Sequence, residues 1–180
     1  MNNLGKIFAV AVLTRVSLKS ITGKIEFCEF NDKKSGKNLV KIKVDIKGLP
    51  PGKHGFHIHQ AGDLTHDCAS ACAHFDPYGN VHGGSNSKIR HVGDLGNITA
   101  NRNGVAKKTF FDHKIKLKGR NSIIGRSLVI HQDEDDLGLG GLDRFGNIVD
   151  PDIRKESLIT GNAGPRIACG VIGYSQKNFI

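Results

Sequence analysis

The sequence predicts an all-β fold, an antiparallel sandwich or barrel of about eight strands. Three observations lead there. Val40, Ile42, Val44 and Ile46 alternate with Lys41, Lys43, Asp45 and Lys47 inside Leu39–Leu49, which is the period of a half-buried strand. Glycine makes up 23 of the 180 residues with no repeat period, which calls for many tight turns. No segment carries a sustained 3.6-residue apolar period.

The elements follow in order. Ile7–Val16 reads as the first strand, although Lys6 and the apolar run Ile7–Leu13 have the outline of a secretion leader. The run is too short for one, and Arg15 and Lys19 stand where the small residues of a cleavage site belong. A cytoplasmic protein is therefore expected, with Cys28, Cys68, Cys72 and Cys169 reduced by default. Lys24–Phe30 is the second strand, joined through Gly23, and Leu39–Leu49 is the third. Pro50-Pro51-Gly52 leads into a fourth, His54–His59. Asn97–Ala100 and Val105–Phe111 flank Asn101-Arg102-Asn103-Gly104, a hairpin turn with glycine where φ > 0 is needed. Ser127–His131 and Ala168–Tyr174 complete the set.

The length suits one domain spanning residues 1–180. With 38% hydrophobic and 24% charged residues the chain is no disordered segment, and no apolar run approaches a membrane span. A net charge of +9 points to an anionic partner or simply to solubility. The basic residues are scattered, with no basic helical stripe and no aromatic RNA-binding pattern, so neither nucleic acid nor membrane is expected as a partner.

Two segments stand outside the strand pattern, Gln60 to about Arg90 and Gln132 to about Gly164. Loops so long are uncommon unless they are functional or pinned by a ligand or cross-link. His57, His59, His74, His82, His91 and His131 gather in or beside them, with Asp94 three residues after His91. On a strand, His57 and His59 share one face and can approach one metal, while Phe56 and Ile58 enter the core. Imidazole suits copper and zinc. Seven candidate ligands exceed the needs of one ion, and two ions need about eight positions, so one imidazole offering both nitrogens would complete a dinuclear site.

Several motifs in the same order resemble the copper,zinc superoxide dismutases: HGFHIH (54–59), HFDP (74–77), HGG (82–84), RHVGDLGN (90–97), IIGRSLVIH (123–131), DDLG (135–138) and TGNAGPRIACGVIG (160–173). The resemblance covers about residues 7–175. It implies an eight-stranded Greek-key, immunoglobulin-like sandwich with two long functional loops. It implies copper on His57, His59, His74 and His131, and zinc on His74, His82, His91 and Asp94, with His74 the bridge. By the same resemblance Asp135 links a copper ligand to a zinc ligand, Arg166 holds the superoxide anion, and Cys68 pairs with Cys169. The activity implied is conversion of superoxide to oxygen and hydrogen peroxide, with Cu and Zn as cofactors. A homodimer is implied through Ile123-Ile124-Gly125 and Gly170–Tyr174, weakened by the small Ala61, and a copper-loading chaperone is an implied partner. The alternative, a non-catalytic copper/zinc module of copper-chaperone type, predicts a lost ligand or a lost arginine, and the full set is present.

The chain departs from the family pattern in three places. Asp133 stands where a lysine is common. An insertion, Leu142–Ile159, carries Arg144, Arg154 and Lys155 beside Asp143, Asp150, Asp152 and Glu156; either these cations stand in for the lysine, the reading preferred, or steering of the anion is weaker here. Cys72 is expected as a buried or partly buried free thiol. Cys28 reads as a core or strand thiol, His54 as a structural hydrogen-bonding residue, and His66 and His113 as loop residues.

Overall fold

The structure, a computed structural model, describes residues 6–13, 21–34 and 36–176. Its strands are β1 (Ile7–Val12), β2 (Thr22–Asp32), β3 (Lys37–Lys47), β4 (Gly52–His59), β5 (Thr65–Cys68), β6 (Asp94–Ala100), β7 (Ala106–Asp112), β8 (Ser127–His131) and β9 (Arg166–Tyr174), with a helix α1 (Pro151–Thr160) before β9. Eight of them form one sheet in the order β6-β4-β8-β9-β1-β2-β3-β7, and β5 stands apart in the first long loop. Each pairing is antiparallel. β3 and β4 follow one another in the chain yet lie far apart in the sheet, the crossover expected of a Greek key. The sheet's two end strands, β6 and β7, are joined by the Asn101–Gly104 turn, so the sheet curls into a nearly closed barrel. Gly104 has φ 72° there and its N–H donates to the carbonyl of Asn101 at 2.9 Å.

Pleat and burial agree along β3, where Val40, Ile42, Val44 and Ile46 are buried and Lys41, Lys43 and Lys47 face water. These meet Ile25 and Phe27 of β2, Phe56 and Ile58 of β4 and Leu128 and Ile130 of β8 in one core. Each such side chain contributes about 1.5–3 kcal/mol by leaving water. His54 is buried in this frame, its ring nitrogens bonded to the carbonyls of His131 (2.9 Å) and Pro50 (2.8 Å), the structural role expected.

Several boundaries move. β4 begins at Gly52, β6 at Asp94 and β9 at Arg166, earlier than alternation shows. In β4 the exposed Gly52 and Lys53 join by pairing with Ala100 and Thr99. In β6 Asp94, Leu95 and Gly96 are all buried, so the polar half of the pattern disappears. The expected continuation of the first strand past Leu13 lies outside the described residues. His66 belongs to the exposed strand β5 rather than to a loop, whereas His113 follows β7 in a bend.

The main correction is α1, in a loop without helical periodicity. Its ends make it. Asp150 caps the N-terminus by accepting from the N–H groups of Asp152 (3.1 Å) and Ile153 (2.9 Å), Pro151 opens the first turn, and Gly161 closes the helix at φ 73°. Ser157 is its one fully buried residue, so no apolar stripe existed to be read.

Candidate metal centre

β4 and β8 hold the site because both are sandwiched. Phe56 and Ile58 point into the barrel, and His57 and His59 point out of it, beneath the long loops. β4 carries those loops by backbone bonds: Phe75 N–H donates to Ile58 (2.8 Å), Ile58 N–H to Gly93 (2.9 Å) and Gly93 N–H to Phe75 (2.8 Å). This brings His74 and the His91–Asp94 turn over the strand, while His131 ends β8 beside His59. Cys68 and Cys169 form a disulfide across 101 residues, tying the first loop to β9. The pairing implied by the family resemblance holds, and the default expectation of four reduced thiols does not.

The ring nitrogens divide into an outer and an inner set. Four outer nitrogens are held: His57 Nε2 by Asp135 Oδ2 (2.9 Å), His82 Nε2 by Asp135 Oδ1 (2.8 Å), His59 Nδ1 by the Cys72 carbonyl (2.8 Å) and His131 Nδ1 by the Gly164 carbonyl (2.9 Å). Inner nitrogens His57 Nδ1 and His74 Nε2 are buried without a hydrogen-bond partner, and His82 Nδ1 lies 3.1 Å from Asp94 Oδ1. His59 Nε2 and His131 Nε2 face each other at 3.3 Å. Buried polar atoms are rarely left so, and the pattern is that of lone pairs aimed at shared points.

There are two such points. His57, His59, His74 and His131 bring one ligand atom each within 4.8 Å of one another, and so do His74, His82, His91 and Asp94. His74 belongs to both. In the second set, the Nδ1 atoms of His74 (2.9 Å), His82 (3.1 Å) and His91 (3.1 Å) converge on Asp94 Oδ1. Zinc takes such ligands at about 2.0–2.1 Å, which in a tetrahedron separates them by about 3.3 Å. The residues fit. A third grouping, His57, His82 and Asp135, is the carboxylate link between the two sets.

The protonation preferences follow from burial and contact. His57 is pushed down to about 3, by burial first and then by His74, while burial brings His131 down to about 4. His59 and His74 are also lowered, chiefly by burial. Burial opposes the charge of His82 as well, but hydrogen bonds to Asp135 and Asp94 raise it to about 9. For Asp94 burial disfavours the anion, yet bonds from His74, His82 and His91 hold it well below the carboxylate range, and bonds from His57 and His82 do the same for Asp135. Neutral imidazoles beside anionic carboxylates are the metal-ready forms, whereas His82 keeps its proton at neutral pH and must release it to bind a metal.

A funnel of about 550 Å³ opens over the first set, with His59, His74 and His131 at its base. Arg166 flanks it, held by the carbonyls of Cys68 (2.7 Å), Ala69 (3.1 Å) and Cys72 (2.6 Å). Glu156, Ile159 and Thr160 of α1, with Asn162, form the facing wall. The cations of the insertion, Arg144, Arg154 and Lys155, do not line the funnel. Arg144 stacks on the exposed Phe145, and Arg154 donates to the Gly138 carbonyl. The wall instead carries the carboxylate of Glu156, which accepts the Thr160 hydroxyl at 2.6 Å. Asp133 is exposed, its carboxylate lying over Gly164 at the rim.

Cys72 also differs from expectation. Its thiol is free but exposed, and the part that serves the site is its carbonyl. A backbone acceptor has no residue-type signal, so sequence reading sees only the thiol. Cys28 is the half-buried strand thiol expected.

The model of the family described as "Copper/zinc superoxide dismutase (SODC)" matches residues 21–172. The chain belongs to the copper/zinc superoxide dismutase family. It is 53% identical over 180 residues to the "Superoxide dismutase [Cu-Zn]" of Paramecium bursaria Chlorella virus 1, an alignment covering 99% of this chain and 84% of the relative. It is 52% identical over 141 residues to the "Extracellular superoxide dismutase [Cu-Zn]" of Onchocerca volvulus, covering 78% and 66%. A second "Superoxide dismutase [Cu-Zn]" of Onchocerca volvulus is 53% identical over 137 residues, covering 76% and 81%. Like its family, the chain is an oxidoreductase that converts superoxide to oxygen and hydrogen peroxide, and its two clusters match the family's copper and zinc sites.

Proposed function

We propose the following division of labour for that activity. His57, His59, His74 and His131 would hold copper, His74, His82, His91 and Asp94 would hold zinc, and His74 is common to both sets. The observation that carries the assignment is that His57 Nδ1 and His74 Nε2 are buried without a hydrogen-bond partner among convergent ligand atoms, while the outer nitrogens of His57, His59, His82 and His131 are held. Copper bound there supplies the one-electron cycling that oxidises one superoxide and reduces the next. Arg166 binds and orients the anion with a fixed charge and a planar set of donors, kept in place by three carbonyls. His74 Nε2, at the base of the funnel, would hold a proton and deliver it to the product when its lone pair is not on a metal. Asp135 orients His57 and His82 at once.

The test is superoxide consumption by purified protein together with bound copper and zinc per chain. A metal-loaded protein without turnover would favour the non-catalytic module instead. Against that second reading stand the complete ligand set and Arg166.

We read the chain as one domain acting as a homodimer. What supports the pairing is a contiguous surface where Gly125 N–H donates to the Ile172 carbonyl (2.8 Å), beside the exposed Val171. Sedimentation at two concentrations checks it. Copper supply by a chaperone is proposed on the family resemblance alone, to be tested by loading with copper salt. For a cytoplasmic location the support is that Ile7–Val12 pairs with β2 and β9, so its removal would open the barrel. Cell fractionation decides.

A further inference from the structure

We propose that Asp136 is the positioning residue that sets the funnel wall against the metal centre, a task separate from that of its neighbour Asp135. The proposal rests on the reading that the His57, His59, His74 and His131 quartet lies at the working end of the funnel.

The two carboxylates are consecutive but face different partners. Asp135 takes His57 Nε2 and His82 Nε2. Asp136 turns to α1 and its flanks: Oδ1 accepts the Ser157 hydroxyl (2.7 Å) and Gly138 N–H (2.9 Å), and Oδ2 accepts Asn162 Nδ2 (2.6 Å). Its backbone N–H donates to the Gly161 carbonyl at 2.9 Å. Ser157 extends the link by accepting Gly140 N–H at 3.0 Å. One side chain therefore grips the helix from its buried face and from the residue that follows its C-cap.

The grip matters because α1 docks through polar contacts rather than through an apolar face. Ile153 and Ile159 are 47% and 51% exposed, so apolar burial does not set the helix's position. With Ser157 held inward, Glu156, Ile159 and Thr160 are presented to the funnel by helical geometry. Asn162, in the left-handed region at φ 51°, carries the wall onward to Gly164. The helix also hangs from backbone contacts, His82 N–H to the Leu158 carbonyl (2.8 Å) and Arg154 to the Gly138 carbonyl. Loss of the carboxylate would leave a helix that is present but loosely placed.

The test uses the metal-loaded full chain, with Asp136→Asn and Ser157→Ala beside Asp135→Asn. Copper and zinc per chain, amide hydrogen exchange over residues 150–162, kcat/KM for superoxide and azide affinity are measured. Asp136→Asn and Ser157→Ala are expected to keep both metals, speed exchange in α1 by about tenfold, and lower kcat/KM by about three- to tenfold with weaker azide binding. Asp135→Asn is expected to lose metal. Metal loss by Asp136→Asn in step with activity would overturn the proposal. So would faster exchange with kcat/KM and azide affinity unchanged, which is a structural role only. If Asp136→Asn does not fold, Ser157→Ala carries the same expectations. A metal-loaded parent protein that is inactive contradicts the copper reading, a result separate from any change in exchange.

Discussion

Arg166 donates Nη2 to the carbonyl oxygen of Cys72 at 2.6 Å, and the same oxygen binds His59 Nδ1. One peptide group thus orients both the anion-binding cation and a metal-facing imidazole. Arg166→Ala removes the cation and leaves the imidazole held. A hydrogen bond to a charged group contributes about 1.5–3 kcal/mol, so kcat/KM should fall roughly ten- to a hundredfold. Copper and zinc content should stay near the parent value, and loss of both metals would make Arg166 a structural residue.

Cys72 itself holds that carbonyl in place from a backbone conformation that suits glycine, φ 65° and ψ −155°. Such a position costs a side-chain-bearing residue about 1–3 kcal/mol. Cys72→Gly is expected to raise the denaturation midpoint while activity stays close to the parent's, since the acceptor is main chain. An unchanged or lowered midpoint refutes the strain.

His131→Ala withdraws one inner nitrogen from the first cluster and none from the second. Copper per chain should drop and turnover vanish, while zinc per chain is retained. Full activity in this variant would remove the copper assignment.

Glu156 is the carboxylate in a funnel whose lining, among the described residues, has Arg166 as its cation. Glu156→Gln removes one negative charge within a Debye length of the anion's path, an effect of roughly two- to threefold on capture at low salt. The gain should shrink as salt rises. A rate constant indifferent to this change would show that local charge does not steer here.

The metal-free protein should be most stable near pH 6.5. His57, His59 and His131 have folded values below 6.5, so the unfolded chain takes up protons first and stability falls as pH drops toward about 3. His82 has a folded value near 9, so its contribution is complete below 6.5 and is lost as pH rises through 9. Urea midpoints across this range measure both limbs, and metal loading should flatten the profile. A metal-free profile rising steadily from pH 4 to 9 contradicts the assignment.

Much of this was legible in the chain's order of residues. The strict alternation of β3 and the His57-Ile58-His59 step record a local geometry, because a strand's pleat alone decides which side chains share a face. The ligand set and the disulfide were legible as a resemblance, through motifs that persist where several side chains must meet one ion. Periodicity failed at α1, whose start depends on Asp150 and Pro151 and whose stop depends on Gly161. It also failed at the start of β6, where Asp94, Leu95 and Gly96 are all buried and the alternation is erased.

Residue types and their spacing thus settled the strands, the candidate ligands and the family. Only the folded chain decided which nitrogen of each imidazole looks inward, that Cys72 acts through its carbonyl, and that the insertion brings Glu156 rather than a cation to the funnel. The physical reason is range. Local geometry follows from neighbours in sequence, whereas a hydrogen-bond partner is chosen by whatever the barrel brings within about 3 Å, often from a hundred residues away.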